Sequence, residues 1–189
     1  VIRAAIQCIS GEGFQRATAT RISELSGVSW GGIQHQFGDK SAILDAVLEQ
    51  VLGDFQRQLA SFSTEATSLA GRVKALVDAS WNLICDPTYR AFREILRNHP
   101  IAGAETLAPE RFMGQVTSTL EDIAASLFAE LSLKKSTVDL VNSVLFSSLS
   151  GIAEQSLFKS YPESLARIQL VVLRETLLRL IREDGGSPS

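Results

Sequence analysis

Ile2, Ala5, Ile6 and Ile9 recur at the three- and four-residue spacing that lines one face of a helix. Gly11 and Gly13 close that pattern, and Phe14 folds back behind them as an apolar plug. Thr18 is a residue whose oxygen can accept from the free N–H groups of a new helix, and Ile22 and Leu25 then share one face of a short second helix, which Gly27 stops. Ser29 caps a third helix ending near Phe37 and Gly38, with Ile33 and Phe37 one turn apart on its inner side. Asp39 caps a longer fourth, whose stripe runs Ile43, Leu44, Val47, Leu48, Val51, Leu52, Phe55 and Leu59. Three short helices lead into a long one.

The helical period continues from roughly 66 to 85 and 88 to 98, punctuated by Pro87 and Pro100. The stretch HPIAGAETLAP reads as a mobile loop. A helix from about 109 to 131 follows, with Phe112, Val116, Leu120, Ile123, Leu127 and Phe128 facing inward. Ser136 and Asp139 form an S-x-x-D pattern opening the next helix, which runs to about Phe158, and Pro162 opens the last, which ends by Glu183. No segment alternates as a strand would. The pattern predicts an all-α fold of about nine helices: a three-helix unit over 1–46, a larger helical domain over 47–183, and a disordered DGGSPS tail over 184–189.

Two short helices joined by a glycine-containing turn describe a helix-turn-helix. Ile22, Leu25, Val28, Ile33 and Phe37 would form one small core beneath the first helix. The outward side of the third helix is then Trp30, Gly31, Gln34 and His35, and its amide, imidazole and flat apolar ring suit base edges, phosphates and the sugar wall. Trp30 has a second reading, as a surface aromatic resting on the first helix. Two adjacent glycines cost such a helix about 1 kcal/mol each relative to alanine, and their use would be a close approach of backbone to the groove. Thr18, Thr20 and Ser29 place hydroxyls and free N–H groups nearby, and Lys40 opens the fourth helix, where the dipole also favours an anion. For Arg21, a phosphate contact and an ion pair with Glu24 both stay open.

GEGF, TATRISELSGVS, WGGIQHQFG and DK, in this order and spacing, resemble the N-terminal domain of the TetR family of transcriptional regulators over residues 2 to 48. The resemblance implies DNA contacts from Thr18, Thr20, Arg21, Ser29, Trp30, Gly31, Gln34, His35, Gln36 and Lys40. The family usually carries tyrosine, touching the DNA backbone, where this chain has Gln34, so His35 or Gln36 is expected to take over that contact. The resemblance further implies a variable helical domain that encloses a small-molecule pocket and dimerises through its last two helices.

Within that domain Trp81, Tyr89, Phe92, Leu96, Phe112, Val116 and Phe146 are candidates to line the pocket, and Asn82, Arg93 and His99 to orient an effector in it. Aromatic residues at helical spacing are also what a plain core uses. Val138 to Ile152 mixes apolar residues with Ser143, Ser147, Ser148, Ser150 and Gly151, and LARIQLVVLRETLLRLI is apolar on more than one face. Two such helices per subunit suit a four-helix homodimer interface, although both could instead complete the subunit's own core.

A net charge of −3 argues against a surface coated for nucleic acid, yet residues 1 to 44 hold four cations against three acids and are the less acidic part. The two cysteines, Cys8 and Cys85, lie in apolar runs without metal-ligand spacing, as small buried groups in a reducing, cytoplasmic protein. No apolar run approaches the roughly 20 residues of a bilayer span, so no membrane association is expected. The opening Val1, already within a helical pattern, suggests preceding residues. Two distant histidines, with no HxxxH, ExxH or glycine-rich phosphate loop, leave no catalytic, metal or cofactor site to propose. The expected function is a ligand-responsive repressor that binds a palindromic DNA operator as a dimer and is released by a small hydrophobic effector. The rival is a helical protein-binding adaptor with no DNA affinity.

Overall fold

The computed structural model describes residues 1–60, 62, 64–98 and 109–185, without the side chains of 59, 60, 109–113, 115–117 and 120. Among these residues every regular element is helical: α1 (Ile2–Glu12), α2 (Ala19–Ser26), α3 (Trp30–Phe37), α4 (Lys40–Ala60), α5 (Leu69–Cys85), α6 (Pro87–Asn98), α7 (Pro109–Leu127), α8 (Lys135–Gln155) and α9 (Glu163–Asp184), with 3₁₀ turns at Phe14–Arg16 and Ala129–Leu131. The HPIAGAETLAP loop before Pro109 and the tail after Gly185 lie outside the described residues.

The chain forms two compact units, one of Val1–Arg57 with Cys85–Gly114, the other of Gln58–Ile84 with Gln115–Ser189. The first takes in α6, which sequence alone assigned to the larger domain. The reason is apolar: α6 packs on α1 and on the Phe14–Arg16 turn, and Ala91, Phe92 and Ile95 are buried with Ala5, Ile6, Cys8 and Ile9 in the same unit. The same unit buries Ile43, Leu44, Val47, Leu48, Val51 and Phe55 of α4, whereas Leu52 is only half-buried.

In the second unit α8 packs along α9 through Val141, Leu145, Leu149 and Ile152 on one side and Leu173, Leu177, Leu178 and Ile181 on the other. The S-x-x-D pattern does not open α8. The helix starts one residue before Ser136, and the free N–H of Lys134 donates instead to Asp184 Oδ2 at 2.7 Å, while Lys134 Nζ pairs with Asp184 Oδ1 at 2.8 Å. A carboxylate at the end of α9, 50 residues away, therefore does what a local cap would do. Those bonds from Lys134 hold the Asp184 carboxyl below the usual carboxylate range. α8 also ends at Gln155, short of Phe158, in a turn of i→i+3 bonds. α7 gives way after Leu127 to the 3₁₀ turn, where Arg72 Nη1 donates to the Leu127 carbonyl at 2.9 Å. Arg174 pairs with Asp78, which also accepts from Lys74 at 2.7 Å. Burial pushes the Asp78 carboxyl up, but these two cations together bring it below its ordinary value.

Candidate nucleic-acid interface

Three side-chain caps set the geometry of the N-terminal unit. Thr18 Oγ1 accepts from the Arg21 N–H at 3.2 Å and starts α2; Ser29 Oγ accepts from Gly32 N–H at 3.3 Å and starts α3; Asp39 Oδ1 accepts from Ala42 N–H at 2.9 Å and starts α4. Each such cap contributes about 1 kcal/mol. Between α2 and α3 the chain reverses at Gly27, whose φ of 69° and ψ of 9° lie in the left-handed region open to glycine. Two serines that sequence reasoning passed over brace this turn. Ser23 Oγ–H donates to the Val28 carbonyl at 2.6 Å, and Val28 N–H donates to Ser26 Oγ at 3.3 Å. With Ile22 and Ile33 wholly buried, α3 is held against α2 in one orientation.

The outward face of α3 then follows from its helical register. Gly31, Gln34, His35 and Gln36 are exposed together, Trp30 is half-buried beside them, and Leu25 and Phe37 are half-buried on the inner side. Val28 departs from the expected small core: it is 37% exposed, because the braced turn points it along the surface. The paired glycines are also unlike each other. A Cβ on Gly32 would meet Val28 Cγ1 at 3.2 Å, so a side chain there would require Val28 to shift. A Cβ on Gly31 would meet nothing within 4 Å, so nothing within the chain requires that position to be bare.

Thr18, Thr20 and Ser29 are exposed around this face. Thr18 and Ser29 spend a lone pair on their caps, which leaves each O–H to donate outward. Arg21 is engaged differently. Its Nη2 lies 2.7 Å from Glu12 Oε1, its Nε 3.1 Å from both Glu12 oxygens, and its Nη1 3.1 Å from Glu24, so the guanidinium fork ties α2 to the end of α1. The hydrogen bond from Arg21 holds the Glu12 carboxyl below the usual range. Sequence had offered Glu24 as the partner; Glu12, nine residues upstream, is the larger one. Lys40, half-exposed, begins α4 with Nζ 5.0 Å from the centroid of the Phe14 ring. A cation in a first turn opposes the helix dipole by about 0.3–1 kcal/mol, and the α4 N-terminus and the ammonium both attract an anion.

The family model described as bacterial regulatory proteins, tetR family, matches residues 1–47, the segment with this geometry. Residues 1–47 are thus similar to the N-terminal domain of that family. An HTH-type transcriptional regulator BetI of Stenotrophomonas maltophilia is 31% identical over 83 residues, 43% of this chain and 42% of that protein. A BetI 1 regulator of Chromohalobacter salexigens is 28% identical over 106 residues, 53% of this chain and 52% of its own length. The chain thus spans about half the length of the curated relatives it matches. A solved regulatory protein of the tetR family from Rhodococcus RHA1 superposes with a TM-score of 0.67 at 16% identity, covering 95% of this chain and 94% of its own. GusR of Salmonella enterica gives 0.68 at 20%, covering 95% and 92%. At these identities the superpositions show a shared fold.

The effector candidates fall into both units. Tyr89, Phe92, Arg93 and Leu96 belong to the first, where Phe92 is buried core and the Tyr89 ring centroid lies 5.9 Å from that of Phe92. Burial pushes the Tyr89 hydroxyl up, against a smaller opposing pull from Arg93. Trp81 and Phe146, half-buried, and Asn82, exposed, belong to the second. His99 and the side chains of Phe112 and Val116 lie outside the described residues. Cys8 is buried, its thiol pushed up by that burial, but Cys85 is exposed, contrary to its reading as a buried apolar group. It closes α5, so its side chain emerges where the helix ends.

Proposed function

We propose that this chain is a DNA-binding transcriptional regulator of the TetR type that acts as a homodimer, each subunit placing α3 in a major groove of a palindromic operator. The observation that carries the reading is the polar row Gly31, Gln34, His35 and Gln36, exposed on a helix that three caps and a braced turn hold rigid. Gln34 and His35 read base edges, Trp30 and Gly31 set how closely the helix seats, and His35 or Gln36 replaces the backbone contact the family usually makes with tyrosine. Thr18, Thr20, Ser29 and Lys40 hold phosphates. Arg21, already bound by two carboxylates, braces the unit.

The dimer face in this proposal is the outer side of α8 and α9, where Leu140, Leu165, Ile168, Val171 and Val172 are between 40% and 59% exposed. On the same face of α8 as Leu140 run the exposed small residues Ser143, Ser147 and Gly151, which admit a close helix neighbour. The regulator is a repressor released by a small hydrophobic effector: the effector binds better to a conformation in which the two recognition helices are wrongly spaced, and operator affinity falls by that difference in binding free energy.

Replacing Gln34 and His35 together by Ala tests the reading. Each good base contact is worth about 1–3 kcal/mol, so affinity for the selected operator should fall at least about tenfold, with the dimer intact by light scattering. An unchanged affinity would remove α3 as the reading helix.

A further inference from the structure

The ammonium of Lys40 reaches its place at the start of α4 through a residue distant in sequence. Phe14 follows Gly13, whose φ of 94° turns the chain out of α1, and it opens the short 3₁₀ turn. That turn is pinned. Gly13 N–H donates to the Ile9 carbonyl at 3.1 Å, Ala17 N–H to that of Phe14 at 3.2 Å, and the buried Cys8 thiol to that of Arg16 at 3.6 Å. Ala17, at the end of the turn, is wholly buried, and α6 packs against the turn as α1 does. The ring is therefore carried on backbone that cannot easily move, and Lys40 Nζ lies 5.0 Å from its centroid, within the range at which an aromatic face attracts a cation.

A lysine side chain in solvent has four rotatable bonds and no reason to stay near the first turn of a helix whose dipole repels it. Phe14 is only half-buried, which leaves the face of its ring available to the ammonium rather than sealed in the core. We infer that Phe14 is a positioning residue for the DNA backbone contact: its ring holds the Lys40 ammonium beside the N-terminus of α4, in place to meet a phosphate. The inference rests on the reading of Lys40 as a phosphate contact. It adds that the plug after α1 serves the interface as well as the core.

The test is a double-substitution cycle on the full chain, with a 30-base-pair mixed-sequence duplex as probe, because a phosphate contact carries no sequence information. Lys40→Gln should reduce the slope of log affinity against log salt by about 0.9, the value for one phosphate. Phe14→Leu, which keeps an apolar plug but removes the ring, should weaken binding about two- to fivefold when Lys40 is present, and not at all in the Lys40→Gln background. Phe14→Tyr should restore the affinity. Equal weakening by Phe14→Leu in both backgrounds, or failure of Phe14→Tyr to restore binding, would make the ring merely structural and overturn the inference. An unchanged salt slope for Lys40→Gln would instead overturn the phosphate reading beneath it. Thermal melts of each variant, with binding measured well below the lowest midpoint, keep loss of fold apart from loss of contact.

Discussion

The outward face of α3 and the outward face of α9 are both uncovered by their own units, and they are chemical opposites. On α3 the exposed row is glycine, amide and imidazole; on α9 it is Leu165, Ile168, Val171 and Val172. A polar face with little side-chain bulk suits a hydrated, hydrogen-bonding partner that must come close. An apolar face of that length suits a partner that removes it from water, such as the same face of a second copy. The two faces are also supported differently. The caps and brace around α3 join residues two to five positions apart, whereas the second unit is tied by Lys134 to Asp184 and by Asp78 to Arg174, 50 and 96 positions apart.

Substitutions can separate these roles, and the largest effect should come from α9. Leu177 is wholly buried and Val172 is 59% exposed on the same helix. Leu177→Asp should abolish cooperative folding, since truncating a buried leucine alone costs about 2–5 kcal/mol of a total near 5–15 and a buried carboxylate costs more. Val172→Asp should keep the helical signal in circular dichroism yet give monomers by light scattering. A stable Val172→Asp dimer would place the interface elsewhere. On α3, Ser29→Ala should lower stability by about 1 kcal/mol through loss of its cap, measured by chemical denaturation. Gly31→Ala should do the reverse, raising stability by about 1 kcal/mol, because helix propensity improves and the new Cβ touches nothing. The same variant should bind DNA less well. Unchanged DNA affinity would mean that Gly31 is not at the interface.

A smaller effect concerns acid. Asp184 is held below its unfolded value near 3.9, so its contribution to stability is complete above about pH 4 and fades as pH falls through the lower native value. Denaturation midpoints followed downward from pH 5 should fall less steeply for Asp184→Asn than for the parent chain. Equal slopes would mean that the α8–α9 clasp is not what acid loosens.

The same contrast explains what could be read in advance. Thr18, Ser29, Asp39 and Gly27 were legible because a cap or a left-handed turn is decided within about four residues, and the exposed positions of α3 follow from register once its ends are known. Glu12 with Arg21, Phe14 with Lys40 and Asp184 with Lys134 were not, since each requires knowing how separate helices lie against one another. The burial of α6 with α1 was missed for the same reason: a stripe of Ala91, Phe92 and Ile95 says that a helix has a partner and not which one. Ser136 and Asp139 formed a sound local pattern that lost to a distant carboxylate.

The most direct test of the account is selection of bound sequences from a pool of random duplex DNA by the purified chain. The account predicts enrichment of a palindrome whose half-site centres are about 34 Å, one helical turn, or a multiple of it apart, with affinity that falls as salt rises and is lost when Gln34 and His35 are both alanine. Recovery of no common sequence, with no salt-dependent binding to any duplex, would contradict it.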